Sequence, residues 1–334
     1  MIRVGLVGYG LAGATFHAPL IRACSRMQLS GVMTSRDVPD AVPDLGSLFD
    51  RADLIVVASP NATHFEIAKA ALEAGKHVVV DKPFTVTVAE ADGLIGLAES
   101  RGLKLTVFHN RRWDGDFLTV RRVLPELGKI MLYHAHWDRF RPGLRNGWKE
   151  VANGATGVLI DLGPHLIDQA LQLLGTPDAL TADIGTQRSG GGIDDYFELT
   201  LHYGAMRAVL GCSTLVAASR PRFAIHGADG SFVKHGLDTQ EAALKNGAEP
   251  LSPDFGTDTN HGLLTTANGD HRTVQTERGR YIGFYEAVAD ALIDNLPLPV
   301  AAQEARKVME IIALARISAR EGRRIALAPL PSLA

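Results

Sequence analysis

Cysteine is scarce in this chain, and so are the features that mark several other classes of protein. The 334 residues contain two cysteines, Cys24 and Cys212, which lie far apart and form no metal-binding or redox motif. We therefore expect both to be reduced and structural. No lysine- or arginine-rich run is present, since 34 basic residues face 37 acidic ones for a net charge of −3. A nucleic-acid partner therefore has no electrostatic support.

Long hydrophobic runs are missing as well. The apolar run at residues 54–58 has the length of a strand, far short of the about 20 residues that a membrane-spanning helix needs. The first candidate strand starts directly after Met1, which leaves no room for a secretory signal. The composition, 46% hydrophobic and 21% charged, is ordinary for a globular protein. These features predict a soluble cytoplasmic protein without membrane contact.

A regular alternation of short apolar runs and helical stretches occupies the first part of the chain. Candidate strands at residues 2–7, 29–33, 54–58, 77–80 and 104–108 alternate with helical periodicity at 65–72 and 89–100. Gly75 and Gly102 follow these two helices, where a left-handed residue is usually needed. The alternation is typical of an α/β fold with a doubly wound parallel sheet.

Longer strands and less helix characterise the rest of the chain. Strands are predicted at residues 129–140, 179–188, 195–203, 205–214 and 222–227, and helices at 161–174, 281–295 and 302–321. A chain of this length exceeds one compact core. We therefore expect a nucleotide-binding domain over residues 1–120 and an α+β domain over residues 121–334, with a large, mostly antiparallel open sheet.

A glycine-rich segment, Gly8-Tyr9-Gly10-Leu11-Ala12-Gly13, connects the first strand to a predicted helix. Glycines at this spacing allow a tight turn, close approach of a pyrophosphate to the backbone and close packing of helix on strand. The start of the helix also offers free N–H groups to the phosphates. In this position the segment predicts a Rossmann dinucleotide-binding domain. Pro19 is expected to kink or shorten the helix.

The tip of the second strand bears on the choice of dinucleotide. An NAD enzyme usually carries an acidic residue there for the adenosine 2′-hydroxyl, whereas this strand ends in Thr34-Ser35-Arg36. Ser35 can donate a hydrogen bond and Arg36 can pair with a 2′-phosphate. The pattern favours NADP. The alternative is that Arg36 is an ordinary exposed arginine.

Two further groups of residues can carry acid–base chemistry. Lys82 follows a buried-looking strand, and in a doubly wound sheet this end of a strand faces the ligand crevice. A lysine there can stabilise the alkoxide character of a substrate oxygen. Asp161 and His165 are four residues apart at a predicted helix start, so a histidine that moves a proton would have a carboxylate beside it. A solvated lysine and a capping aspartate with a packed histidine are the structural alternatives.

A metal site is another interpretation of these side chains. Asp161 and His165 could bind zinc, and His134 and His136 would point to one face of a strand. Neither pair has a clear third or fourth ligand. Because a nicotinamide supplies hydride chemistry without a metal, we expect no metal.

Together, the glycine segment, Asp81-Lys82-Pro83 and Asp161-x-Gly163-x-His165 resemble the motifs of the glucose–fructose oxidoreductase/inositol dehydrogenase family, Gfo/Idh/MocA, over essentially the whole chain. The family usually has Glu-Lys-Pro at the second motif, and aspartate keeps the charge. The resemblance implies that Lys82, Asp161 and His165 are the catalytic set. Residues 34–36, 109–114 and 161–169 look most like those of NADP-dependent scyllo-inositol dehydrogenases.

The resemblance also implies further contacts and an assembly. Cofactor binding is expected from Gly8, Tyr9, Gly10, Leu11, Ala12, Gly13, Ser35, Arg36, Pro60, Asn61, His64, Lys82 and Trp148. Substrate contacts are expected from Asn110, Arg111 and Tyr281, although Tyr281 and Tyr285 could equally be buried packing residues. The open sheet of the second domain is expected to form a homodimer or homotetramer.

The expected activity is reversible hydride transfer between NADP(H) and a secondary alcohol or ketone of a cyclic polyol or sugar. Three alternatives use the same fold. A non-enzymatic NADP sensor would lack the lysine and histidine, and an imine or biliverdin-type reductase would typically lack the Asp161–His165 pair. A nicotinamide-dependent glycosidase would release an alcohol from a glycoside without net change of the cofactor.

Overall fold

The computed structural model of this protein describes residues 1–144 and 156–327. Within them the helices are α1 Ala18–Ala23, α2 Leu45–Arg51, α3 His64–Glu73, α4 Val88–Ser100, α5 Gly115–Val123, α6 Val158–Asp161, α7 Gly163–Leu174, α8 Gln240–Lys245, α9 Ile282–Ile293 and α10 Ala302–Glu321. The strands are β1 Ile2–Val7, β2 Met27–Met33, β3 Ala41–Val42, β4 Leu54–Val57, β5 His77–Val80, β6 Leu105–Val107, β7 Ile130–His136, β8 Ala179–Gly185, β9 Tyr196–Tyr203, β10 Met206–Ser213, β11 Phe223–Gly227, β12 Gly230–Lys234, β13 Gly262–Thr266, β14 His271–Val274 and β15 Ile325–Ala326.

The described residues form two compact units, each assembled from several segments. Unit 1 contains residues 1–115, 238–257 and 278–309. Unit 2 contains the described parts of residues 116–237 and 258–277, together with residues 310–327. The boundary near residue 120 that the sequence suggests stays a prediction.

Unit 1 is built on a parallel sheet of six strands in the order β3-β2-β1-β4-β5-β6. The doubly wound parallel sheet predicted from the sequence is therefore confirmed. All four residues of β4 are buried, as are three of the four in β5. Continuous burial of this kind is typical of parallel strands, whose two faces are both covered by crossover helices.

Local sequence explains how the helices of unit 1 begin and end. The Thr87 hydroxyl accepts from the Glu90 N–H, and the Glu90 carboxylate accepts from the Thr87 N–H, which closes a capping box at the start of α4. Gly75 and Gly102 have φ angles of 74° and 63°, the left-handed conformation predicted after α3 and α4. Pro19 lies in the first turn of α1, which is only six residues long, so this helix is short as predicted.

Unit 2 is built on a sheet of nine strands in the order β14-β13-β12-β11-β7-β10-β9-β8-β15. Strands β7 and β10 pair in parallel, and the other neighbours are antiparallel. The prediction of a large, mostly antiparallel open sheet is confirmed. A turn at residues 203–205 joins β9 to β10, and Gly204 has a φ of 55° there.

The two faces of the nine-stranded sheet differ in exposure. Tyr133, Phe223 and Phe232 point to one face and are fully buried, whereas Leu132 and Leu263 point to the other and are 42% and 46% exposed. Successive side chains of a strand alternate between faces, so the pairing register assigns each residue to its side. One face therefore carries the core of unit 2, and the other presents apolar side chains to the surroundings.

Candidate active site

The loops that carry the predicted cofactor residues of unit 1 lie side by side. The last residues of five parallel strands pair in one continuous row across the sheet, in the order Met33, Val7, Val57, Val80 and Val107. At a strand spacing of about 4.8 Å, β5 lies about 10 Å from β1. Because ligands of doubly wound sheets bind at the carboxyl ends of the strands, this edge is the candidate nucleotide site.

The glycine segment after β1 has the geometry of a phosphate cradle. Gly8 has a φ of 95°, and its N–H donates to the Met33 carbonyl at 2.9 Å. A Cβ atom on Gly8 would overlap the Ala58 carbonyl, and one on Gly13 would overlap the Gly8 carbonyl. A Cβ on Gly10 would meet nothing within 4 Å. The first and third glycines are therefore required by the chain itself, while the second leaves its backbone open to a phosphate, as a dinucleotide requires.

Ser35 and Arg36 lie exposed just beyond the end of β2. The Arg36 N–H donates to the Thr34 hydroxyl at 3.2 Å, which turns the chain at this point. Among the described residues, the Arg36 guanidinium has no ion-pair partner. Its donors are therefore available to an anionic group bound at this edge.

His64 connects the loops that follow β4 and β5. It is fully buried at the start of α3, with Nδ1 2.9 Å from the Pro83 carbonyl and Nε2 3.0 Å from the Ser59 carbonyl. Both ring nitrogens face backbone acceptors, so a neutral imidazole donates to one of them at a time. Its observed contacts hold the two loops together. The cofactor contacts expected from Pro60, Asn61 and His64 stay predictions.

Lys82 lies half-buried in a tight turn after β5. The Asp81 carboxylate accepts from the Lys82 N–H at 2.8 Å, and the peptide bond between Lys82 and Pro83 is cis. His17 Nε2 faces Asp81 Oδ1 at 3.6 Å. Burial acts to raise the pKa of Asp81, but His17, Lys82 and His64 outweigh it, and the pKa lies below its usual value. Lys82 therefore has an ionised carboxylate next to it.

Arg111 and Tyr281, predicted at the substrate, are joined in a buried polar network. The Arg111 guanidinium lies 3.3 Å from Asp114 and also contacts the Tyr281 hydroxyl and the Glu241 carboxylate. The Tyr281 hydroxyl donates to Asp114 at 2.7 Å. Burial raises the pKa of Tyr281, with Asp114 acting in the same direction and Arg111 against it. The substrate contacts of Asn110, Arg111 and Tyr281 stay predictions, and Asp114 and Glu241 were not identified from the sequence.

Asp161 and His165 belong to unit 2, where they lie at the junction of two helices. Asp161 ends α6, and α7 begins after one intervening residue with Pro164 in its first turn. The single helix predicted over residues 161–174 is therefore wrong at its start, because Asp161 ends a separate short helix. The Asp161 side chain is 45% exposed and lies 3.9 Å from the Arg139 guanidinium. His165 is 4% exposed and stacks on Trp137, with ring centroids 6.0 Å apart.

The remaining predictions for single residues concern Trp148 and the two cysteines. Trp148, predicted at the cofactor, lies with Lys149 outside the described residues. Cys24 and Cys212 are buried free thiols, as predicted, and burial raises the pKa of Cys212 to about 12.

Across residues 1–144 and 156–327, no group of three or more His, Cys, Asp or Glu side chains could hold a metal ion. No helix in the described part of the chain is long and apolar enough to span a membrane.

Two family models match this chain in consecutive segments. Residues 2–109 match the NAD-binding Rossmann fold of the Gfo/Idh/MocA oxidoreductases, and residues 124–327 match the C-terminal α/β domain of the same oxidoreductases. The fold and these matches define an oxidoreductase with an NAD(P)-binding Rossmann fold. The chain belongs to the Gfo/Idh/MocA family, which confirms the resemblance found in its motifs.

Individual relatives agree over almost the whole chain. It is 45% identical to the uncharacterized oxidoreductase YdgJ of Escherichia coli, over 98% of this chain and 99% of the relative. It is 41% identical to the scyllo-inositol 2-dehydrogenase (NADP(+)) IolW of Bacillus subtilis, over 98% and 96%. Among solved structures, the oxidoreductase YvaA of Bacillus subtilis superposes with a TM-score of 0.95 at 40% identity, over 98% of both chains.

Proposed function

We propose that this enzyme transfers a hydride between NADP(H) and a secondary alcohol or ketone of a cyclic polyol or sugar, with scyllo-inositol-type polyols as the first candidates. The observation that carries the proposal is the shared edge of the parallel sheet. The cradle at residues 8–13 and the Lys82 turn follow strands whose ends pair in one row. The likeness to a scyllo-inositol 2-dehydrogenase supports the substrate class.

NADP is the proposed dinucleotide because of the side chains after β2. An exposed arginine without an ion-pair partner among the described residues can form charge-assisted hydrogen bonds to a 2′-phosphate. Ser35 adds a hydroxyl donor beside it, and the turn contains no acidic residue before Asp37. The relative IolW, which is named as an NADP(+) enzyme, supports the same choice.

The proposed mechanism divides the chemistry among three side chains. A nicotinamide held at this edge would supply the redox chemistry, as acceptor of the hydride in oxidation and as its donor in reduction. His165 removes the substrate hydroxyl proton in oxidation and returns it in reduction. Asp161 orients the imidazole and stabilises its protonated form. Lys82 donates to the substrate oxygen and stabilises the negative charge that develops there.

A substrate panel tests the activity directly. The purified protein is mixed with inositols and hexoses, with NADP and NAD in parallel, and reduced nicotinamide is followed by its absorbance. We expect turnover of at least one polyol with NADP. Binding of NADP without any turnover would favour a sensor, and release of an alcohol from a glycoside without net change of the cofactor would favour a glycosidase.

A homodimer or homotetramer through the nine-stranded sheet is proposed for the assembly. The exposed face carries Leu132 and Leu263; the half-buried Val233 pairs with Leu263, and the half-buried Val209 lies on the same face two residues from Arg207, the partner of Leu132. Sedimentation of Leu132→Asp should show a smaller species than the parent chain, because a carboxylate in an apolar interface is costly. The cytoplasmic location stays a prediction.

A further inference from the structure

A buried tyrosine–histidine pair lies behind the Lys82 turn, and the proposed chemistry does not use it. His17 ends the segment Gly13–His17, which has π-helical geometry and directly follows the phosphate cradle. Tyr285 lies on α9, and both side chains are fully buried. His17 Nδ1 and the Tyr285 hydroxyl are 2.6 Å apart. π-helical turns are rare and occur frequently at functional sites.

The other ring nitrogen points at the turn that carries Lys82. His17 Nε2 is buried without a hydrogen-bond partner among the described residues, and the carboxylate atom that it faces, 3.6 Å away, is Asp81 Oδ1. The same Oδ1 atom accepts the Lys82 N–H at 2.8 Å. One carboxylate oxygen therefore lies between the imidazole of His17 and the backbone of Lys82.

The partners determine where the protons lie in the neutral state of His17. An ionised carboxylate can only accept, so Nε2 carries the proton that faces Asp81. A neutral imidazole then has an acceptor at Nδ1, and the Tyr285 hydroxyl must donate to it. Burial, with the charge of Asp81 as a further cause, raises the pKa of Tyr285. A phenol that retains its proton fits the role of donor.

Neighbouring aromatic rings restrict the imidazole. The Phe108 ring centroid lies 4.4 Å from that of His17, and the Tyr285 ring meets the imidazole edge-on at 6.2 Å. Asp81 also interacts electrostatically with Lys82 and His64, and Tyr285 with Asp81 and Cys24. The ring is therefore held by packing in the one orientation that directs Nε2 to the carboxylate.

We propose that His17 and Tyr285 are positioning residues for the hydride transfer: they hold the Asp81 carboxylate, which in turn sets the backbone of Lys82. The inference rests on the proposed function, because it assigns Lys82 to the reaction. It predicts a loss in the chemical step and none in dinucleotide binding, since the pair lies behind the turn and not at the phosphate cradle.

Tyr285→Phe is the sharpest variant, because it removes one hydroxyl and keeps the aromatic ring. We expect kcat to fall about tenfold, the effect of one buried hydrogen bond, while the Kd of NADP stays within about twofold. His17→Gln, which keeps an amide donor for Asp81, should retain more kcat than His17→Leu. A purely structural role would not produce this rescue.

Tyr133→Phe is the matched control. Tyr133 is also fully buried, and its hydroxyl has no hydrogen-bond partner among the described residues, so kcat should be unchanged. Unchanged kcat in Tyr285→Phe, or a parallel loss of kcat and NADP affinity, would overturn the inference. If His17→Leu does not fold, the kcat and the NADP affinity of Tyr285→Phe test the inference without it.

Lys82→Ala separates this inference from the proposed function. Turnover that survives in Lys82→Ala contradicts the catalytic role of Lys82, whereas absence of turnover in the parent chain contradicts the proposed function. An inactive Lys82→Ala with a fully active Tyr285→Phe contradicts the positioning role alone.

Discussion

The lysine side and the histidine side of the proposed site are held in different ways. Lys82 lies in a turn that is fixed by the Asp81 carboxylate, by His64 on the Pro83 carbonyl and by His17 behind it. Asp161, by contrast, ends a short helix with 45% of its side chain exposed. Unit 1 thus holds the backbone of Lys82 in a fixed turn, whereas unit 2 holds Asp161 with its carboxylate in contact with water.

This difference has an energetic consequence. A donor whose backbone is already fixed stabilises a developing charge strongly, because it needs little rearrangement at the moment of reaction. A carboxylate that is half exposed interacts through a high effective dielectric, so its influence on a neighbouring histidine is smaller. Substitution on the lysine side should therefore cost more than substitution of Asp161.

Lys82→Ala should produce the largest effect. We expect kcat to fall about 10³- to 10⁴-fold, because the charge on the substrate oxygen loses its stabilising donor. NADP binding, measured by fluorescence titration, should change little. Lys69→Ala, an exposed lysine on α3 that pairs with Glu73, is the control and should remain fully active.

His165→Asn and Asp161→Asn test the histidine side. We expect His165→Asn to lower kcat about 10²- to 10³-fold through loss of the base. Asp161→Asn should cost only about tenfold, because the carboxylate is partly hydrated. Steady-state kinetics distinguish the two. An Asp161→Asn loss as large as that of Lys82→Ala would contradict the distinction between the two sides.

Arg36→Ala tests the cofactor choice at the edge of unit 1. Loss of a charge-assisted contact should weaken NADP about tenfold and leave NAD unchanged. Equilibrium binding of both dinucleotides measures this. Arg51→Ala, an exposed arginine at the end of α2, is the control. Equal weakening of NAD and NADP would show that Arg36 does not recognise the 2′-phosphate.

Glu241→Gln should give the smallest effect and tests the buried polar network around Arg111 in unit 1. Burial acts to raise the pKa of Glu241, but Arg111 and Lys245 lower it to about 2. Since the folded pKa lies below the unfolded value, the stabilisation is complete above about pH 5 and declines as the pH falls toward 2. We expect a loss of about 1–2 kcal/mol in unfolding free energy at pH 7.

Thermal melts at pH 7 and pH 3.5 test the direction of this pH dependence. The difference in unfolding free energy between the parent chain and Glu241→Gln should shrink at pH 3.5, because Glu241 there binds a proton in the unfolded chain and stays ionised in the folded one. Glu66→Gln, an exposed carboxylate on α3, should show little difference at either pH. A difference that grows at pH 3.5 would contradict the assignment.

Strands with a strong local pattern were found from the sequence, and strands that depend on pairing were missed. β4 and the last three residues of β5 are runs of β-branched and aliphatic residues, and this local pattern is enough to predict that they form buried strands. β14, His271–Val274, has three exposed residues of four and is extended because it pairs with β13. Helix α2 is short and was not predicted, although Asp44, whose side chain accepts from the Ser47 N–H, is a residue type typical of a helix N-cap.

Local sequence was enough to predict the glycine turn after β1 and to place Lys82 directly after β5, because both depend on short segments that follow a strand. Only the folded chain brings Tyr285 to His17, 268 positions away, and Glu241 to Arg111, 130 positions away. Such contacts leave no local periodicity or spacing, since they arise where separate elements pack together. The position of Lys82 directly after a buried strand was therefore predictable from the sequence, whereas the contacts behind its turn are seen only in the fold.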